Sequence, residues 1–257
     1  MSKPILELKH VVTKVNRNTP EEITLLKDLN LTINEGDFIT VLGSNGAGKS
    51  TLFNTIAGNL PADSGDILLR GKSIVHESEE KRTRFLSRVF QDPKLGTAPR
   101  MTVAENLLLA TKRGEKRHLM PRHLKQSMAE FEELTAGMGN GLNERLNTPT
   151  GNLSGGQRQA LSFLMATLRR PDILLLDEHT AALDPKTSQQ LMTTTNERII
   201  DQKLTCLMIT HHLDDAITYG NRLIVIGDGR ITYDVAGEEK QRLTKEQLYG
   251  FFSDLKE

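Results

Sequence analysis

Eight consecutive residues constrain this chain more than any others. Gly43-Ser44-Asn45-Gly46-Ala47-Gly48-Lys49-Ser50 fit the pattern G-x-x-x-x-G-K-[ST]. The mostly apolar run Phe38-Ile39-Thr40-Val41-Leu42 precedes them and a helix-like stretch over 51–57 follows. The four fixed positions recur by chance in roughly one chain per hundred of this length, so the flanking strand and helix carry much of the assignment. Glycines let backbone N–H groups curl around phosphate oxygens that a Cβ would obstruct, and the helix N-terminus adds a favourable dipole. Lys49 is expected to reach the β and γ phosphates of a nucleotide, Ser50 to ligate Mg²⁺, and Thr51 to add a phosphate contact. Gly43, Ser44, Asn45, Gly46, Ala47, Gly48, Lys49, Ser50 and Thr51 are therefore the nucleotide-binding candidates.

The rest of the chain fits an α/β architecture around that loop. Leu29, Leu31 and Ile33 alternate with Asn30, Thr32 and Asn34, the period-2 pattern of a half-buried strand, and residues 5–36 read as strands. Short apolar runs at 173–177, 206–210 and 223–227 are buried-strand candidates separated by lengths suited to crossover helices, which predicts a mostly parallel sheet with helices on both faces. Residues 100–150 instead carry helical spacing, at Val103, Leu107, Leu108 and at Met128, Phe131, Leu134. Gly227-Asp228-Gly229 between two apolar stretches signals a hairpin. The expected organisation is one domain over 1–257, with an α/β core from 1–91 and 151–257 and a helical subdomain over 92–150.

Composition narrows the function classes. Lys and Arg total 33, as do Asp and Glu, and zero formal charge argues against a protein whose main affinity is for nucleic acid. Cys206 is the single cysteine, so it forms no internal disulfide and no cysteine-rich zinc site. The longest apolar runs are strand-sized, far short of the roughly 20 residues of a spanning helix. Glu7 and the absence of an apolar h-region predict no cleaved signal. A cytoplasmic chain is expected.

A second acidic element lies downstream: Ile173-Leu174-Leu175-Leu176-Asp177-Glu178. An apolar strand ending in two acids would set Asp177 to hold the Mg²⁺ shell and Glu178 to polarise an attacking water. Just before it, Leu153-Ser154-Gly155-Gly156-Gln157 opens a helix, and Ser154 with two glycines exposes a helix N-terminus to an anion.

This segment resembles the signature motif of ATP-binding-cassette (ABC) ATPases, a phosphate-loop NTPase family. Further elements follow the order of that family along nearly the whole chain. Val89-Phe90-Gln91-Asp92-Pro93 resembles the Q-loop, in which Gln91 would contact Mg²⁺ and the attacking water. Ala182-Leu183-Asp184-Pro185 resembles the D-loop, with Asp184 communicating across a dimer, and Ile209-Thr210-His211 resembles the switch histidine that senses the γ-phosphate. The resemblance implies a mostly parallel core sheet with an antiparallel β subdomain and an inserted helical subdomain. It implies a homodimer or cassette dimer with ATP sandwiched between the phosphate loop of one chain and Ser154, Gly155, Gly156 and Gln157 of the other. Glu178, His211 and Gln91 are the implied catalytic residues, and Ser50, Gln91 and Asp177 the implied Mg²⁺ contacts.

By the same resemblance, ATP hydrolysis drives separate transmembrane permease subunits, whose coupling helices dock beside 91–102. The chain would sit on the inner face of the cell membrane. Bacterial importers of small solutes such as amino acids, working with a solute-binding protein, are the nearest match. An exporter ATPase, or a soluble ABC-type ATPase acting on DNA or ribosomes, is the alternative. The latter typically carries two cassettes, coiled-coil arms or zinc modules, none of which is visible here.

Three features depart from the family pattern. No aromatic residue precedes Phe38 to stack on adenine; Val15 and Arg17 offer apolar contact and a cation instead, which predicts weak base selectivity. His179 stands where a proline commonly follows the catalytic Glu, and His212 where an acid commonly follows the switch histidine; either could titrate near neutrality, although ordinary family variation explains both. A basic run, Lys112-Arg113, Lys116-Arg117-His118 and Arg122-His123-Lys125, reads as a solvated helical face in preference to a lipid or partner contact.

Overall fold

Phe38–Leu42 is buried at all five positions because it has a parallel neighbour on either side. The computed structural model describes residues 3–115 and 123–253. Among these the strands are β1 (Pro4–Val15), β2 (Ile23–Asn34), β3 (Phe38–Leu42), β4 (Ser64–Leu69), β5 (Lys72–Ser73), β6 (Leu86–Val89), β7 (Ile173–Asp177), β8 (Cys206–Ile209), β9 (Arg222–Gly227) and β10 (Arg230–Ala236). The helices are α1 (Lys49–Ala57), α2 (Glu79–Arg82), α3 (Val103–Ala110), α4 (Leu124–Ala136), α5 (Gly155–Leu168), α6 (Pro185–Asp201), α7 (Leu213–Thr218), α8 (Gly237–Gln241) and α9 (Lys245–Ser253). None is long and apolar enough to cross a membrane.

The chain forms two compact units. One runs up to Arg82 and resumes at Lys203; the other is Thr83–Gln202. In the first, β3 pairs in parallel with β8 and with β9, and Val41 stands opposite both Ile209 and Ile224. These side chains are at most 1% exposed, and burial on this scale stabilises by about 1.5–3 kcal/mol each. The same unit holds an antiparallel sheet in the order β2-β1-β4-β5. In β2 the alternation of the sequence is realised: Leu29, Leu31 and Ile33 are buried while Asn30 and Thr32 are exposed. The β9–β10 hairpin also forms. Its loop residues Asp228 and Gly229 both have positive φ, 46° and 74°, matching a turn whose twist suits antiparallel strands.

In the second unit β6 and β7 pair in parallel, from Leu86 opposite Ile173 to Val89 opposite Leu176. Among the described residues, helices α3 to α6 accompany them, so β6, β7, α5 and α6 fall in one unit with the helices of 92–150. Helix α3 starts at a capping box, with Thr102 Oγ1 accepting from the Glu105 N–H and the Glu105 carboxylate accepting from the Thr102 N–H. Each such cap satisfies two helix-terminal donors. Val103, Leu107, Phe131, Leu161 and Leu164 are fully buried. Within the basic run, Lys116, Arg117, His118 and Arg122 lie outside the described residues.

Candidate functional site

The phosphate loop is held open by backbone conformation. Gly43 has φ 156°, and a Cβ there would lie 2.4 Å from the Ile226 carbonyl oxygen. Gly48, at φ 111°, directly precedes helix α1. Ser44, Asn45 and Gly46 are exposed, as is Ser50, while Ala47 and Gly48 are buried and Thr51 half-buried. Lys49 is only 6% exposed; its Nζ donates to the carbonyl oxygens of Gly43, at 2.7 Å, and Ser44, at 3.0 Å. A buried ammonium needs such acceptors, and the loop supplies them from its own backbone. His211 is also in this unit, exposed, just past the end of β8. His212 beside it is exposed and occupies the N-cap position of α7.

In the other unit, the acids stand at the end of β7, whose first four residues are fully buried. Asp177 closes the strand. Its Oδ2 accepts from Arg88 Nη2 at 2.5 Å. Glu178 follows in the left-handed region, φ 47°, which costs a non-glycine residue about 1–2 kcal/mol. Its Oε2 accepts from Gln91 Nε2 at 3.1 Å. The residues 88–91 and 177–178 are thus brought together, each acid joined to one side chain of the earlier segment. His179 lies inside, 2% exposed, with Nε2 3.4 Å from Thr195 Oγ1. Burial pushes its imidazole down to about 4, so it stays neutral throughout the physiological range. That removes His179 as a titrating group near neutrality.

Ser154 is the N-cap of α5. Its Oγ accepts from the Gln157 N–H, and Gln157 Oε1 accepts from the Ser154 N–H, a second capping box. Gln157 Nε2 also donates to the Asn140 carbonyl. A Cβ at Gly156 would meet Thr187 Cγ2 at 2.5 Å, so a larger residue there would force the Thr187 side chain to shift. Asp184 caps α6, accepting from the Thr187 N–H at 3.1 Å, and the Thr187 hydrogen bonds hold its carboxyl below the usual range. These residues line one cleft of about 470 Å³, with Ser154, Gly155, Gly156 and Gln157 on one side and Ala182, Leu183 and Asp184 on another.

Arg17 forms an ion pair with Asp63, Nε to Oδ1 at 2.6 Å, and donates to the Pro61 carbonyl. Val15, the last residue of β1, is half-buried. Sequence reasoning missed Arg88 and Asn140. A basic residue in a four-residue strand, two positions from the apolar Leu86 and next to Val89, was the available signal for Arg88; Asn140 had none, since its place in the cleft depends on how α4 ends.

The family described as ABC transporter matches residues 26–181. The chain is 43% identical over 244 residues to a tyrosine transport ATP-binding protein of Clostridioides difficile, covering 95% of this chain and 97% of that one. It is 34% identical over 241 residues to a spermidine/putrescine import ATP-binding protein of Haemophilus influenzae, covering 93% of this chain. The chain spans 59% of that relative's length. Among solved structures, a dimeric ATP-binding cassette in a post-hydrolysis state bound to ADP and Pi superimposes with a TM-score of 0.76 at 25% identity, covering 93% of this chain and all of the other. A second ATP-binding cassette of an ABC transporter gives 0.75 at 26% identity, covering 94% of each. The 43% identity with the tyrosine transport protein runs along nearly the whole of both chains, more than a shared fold requires, and together with the family match over 26–181 it makes this chain a member of the ABC transporter family, an ATP-hydrolysing cassette.

Proposed function

We propose that the chain is the energy-coupling ATPase of an importer for an amino acid or a similar small solute. The observation that carries this reading is the 43% identity, end to end, with a tyrosine transport ATP-binding protein. Two copies, or this chain and a second cassette, would close on ATP and open after hydrolysis, moving separate permease subunits on the cytoplasmic face of the membrane. The helical segment 92–150 would carry that motion to them, and a solute-binding protein would deliver the cargo.

The roles follow from the chemistry of each group. Lys49 would move from the Gly43 and Ser44 carbonyls to the β and γ phosphates, exchanging neutral acceptors for charged ones. The loop N–H groups, Asn45 and Thr51 would bind phosphate oxygens. Glu178 would polarise the attacking water, with Gln91 orienting the carboxylate through the bond it already makes. His211 would stabilise charge on the transferring phosphoryl group. Ser154, Gly155, Gly156 and Gln157 would offer the N-terminus of α5 to the ATP of the partner chain, and Asp184 would report across the interface.

Ser50, Gln91 and Asp177 would hold Mg²⁺. The fit lies in their chemistry: a hydroxyl, an amide and a carboxylate are hard oxygen donors, and Mg²⁺ is usually held by one or two carboxylates together with substrate phosphates. When bound, the ion would neutralise charge on the β and γ phosphates.

Co-expression with the membrane proteins encoded beside this gene, followed by fractionation, tests the transport reading. The chain is expected to co-purify with a polytopic subunit and to show ATPase activity stimulated by the cognate solute and its binding protein. A chain that never associates with membranes or a polytopic partner overturns it.

A further inference from the structure

Strand β6 is four residues long and begins and ends on the buried side chains Leu86 and Val89, yet it carries Arg88 with a side chain only 11% exposed. The Arg88 Nη2 donates to Asp177 Oδ2 at 2.5 Å, and the Asp177 side chain is 13% exposed. The guanidinium carbon also lies 4.9 Å from the centre of the Phe90 ring. Placing a cation at this depth is costly unless an anion meets it. Arg88 sits opposite Leu175 in the parallel β6–β7 pair, so its side chain extends along the strand direction to reach the acid at the strand's end. Nothing in the ATPase roles assigned above uses this residue.

We propose that Arg88 is the resident counter-ion of Asp177 and sets how much Mg²⁺ the nucleotide site requires. This rests on the reading of Asp177 as the Mg²⁺ carboxylate. With Oδ2 engaged by the guanidinium, Asp177 offers Oδ1 to a metal, and the ion pair draws negative charge away from that oxygen, which weakens it as a ligand for a divalent ion. Arg88 also keeps the half-buried carboxylate paired when no metal is present, so that it does not repel incoming phosphates. Divalent binding therefore depends on the phosphates of ATP arriving with the ion. Arg88 touches neither nucleotide nor water in this scheme; it is a positioning residue acting through Asp177.

The test is equilibrium binding of a fluorescent, non-hydrolysable ATP analogue to the full chain, titrated with MgCl₂, for wild type, R88Q, R88M, R88K, D177N and R88Q/D177N. R88Q and R88M are expected to lower the Mg²⁺ concentration for half-maximal binding by at least about fivefold, while R88K, which keeps the charge, stays within about twofold of wild type. D177N is expected to raise the requirement, and R88Q on a D177N background to leave it where D177N put it. An unchanged or raised requirement in the neutral variants overturns the proposal, as does an R88K shift as large as that of R88Q. If R88M does not fold, R88Q is read alone; if neither folds by thermal melting, Arg88 belongs to the architecture and the proposal is overturned. A D177N chain with wild-type Mg²⁺ dependence overturns instead the assignment of Asp177, an outcome distinct from failure of the Arg88 variants.

Discussion

Gln91 Nε2 donates to Glu178 Oε2 across 3.1 Å, joining residues 87 positions apart. Glu178 has φ 47°, so the carboxylate proposed to polarise water is on a residue whose backbone is strained, and the amide of Gln91 helps to hold it there. Strain of this kind persists only where surrounding contacts over-determine it.

Two substitutions separate strain from chemistry at this position. Glu178→Ala and Glu178→Gly both remove the side chain, but alanine keeps the left-handed penalty. Glu178→Gly is expected to be more stable than Glu178→Ala by about 1 kcal/mol in urea unfolding, with neither hydrolysing ATP. Equal stabilities would mean the backbone at 178 is not strained.

Glu178→Gln keeps size and hydrogen-bonding capacity while removing the base. Turnover should fall by roughly 10²-fold or more, with ATP binding retained and a closed dimer trapped on size-exclusion chromatography. Hydrolysis at near wild-type rate would show that another group polarises the water.

His179 makes stability depend on pH. Its imidazole is lowered from 6.5 to about 4 in the fold, so the unfolded chain takes up the proton first as pH falls. The stability from this group is complete above pH 6.5 and lost progressively down to pH 4, amounting to about 2 kcal/mol between pH 7.5 and pH 5. Urea midpoints for wild type and His179→Gln at these two pH values check this: the wild-type loss should exceed the variant's by that amount.

Ser154→Arg places a bulky cation at the start of α5 and removes its cap. Nucleotide should still bind at the Lys49 loop in equilibrium titrations, but cooperativity between sites in ATPase assays should vanish, along with about 1 kcal/mol of stability from the lost cap. Retained cooperativity would remove the signature segment from the partner's site.

Base selectivity should be weak. Arg17 is already ion-paired with Asp63, which reduces what its charge can add over a purine ring, and no aromatic residue precedes Phe38. ATP and GTP affinities measured side by side should lie within about tenfold; a larger preference for ATP would point to a stacking residue elsewhere.

Local features of this protein were legible in its residues because each depends on neighbours in the chain. The phosphate loop is written in glycine spacing, the Ser154 cap in a serine and a glutamine three apart, and the β9–β10 turn in Asp228-Gly229, all governed by backbone dihedrals and side chains within one turn. The tertiary structure alone decided what remote segments do to one another. It put Arg88 on Asp177 and Gln91 on Glu178, buried His179 deeply enough to keep it neutral at physiological pH, and set the Ile226 carbonyl where only a glycine at position 43 leaves room. Charge pairing, burial and close approach are properties of distance in space, and no spacing along the sequence encodes them.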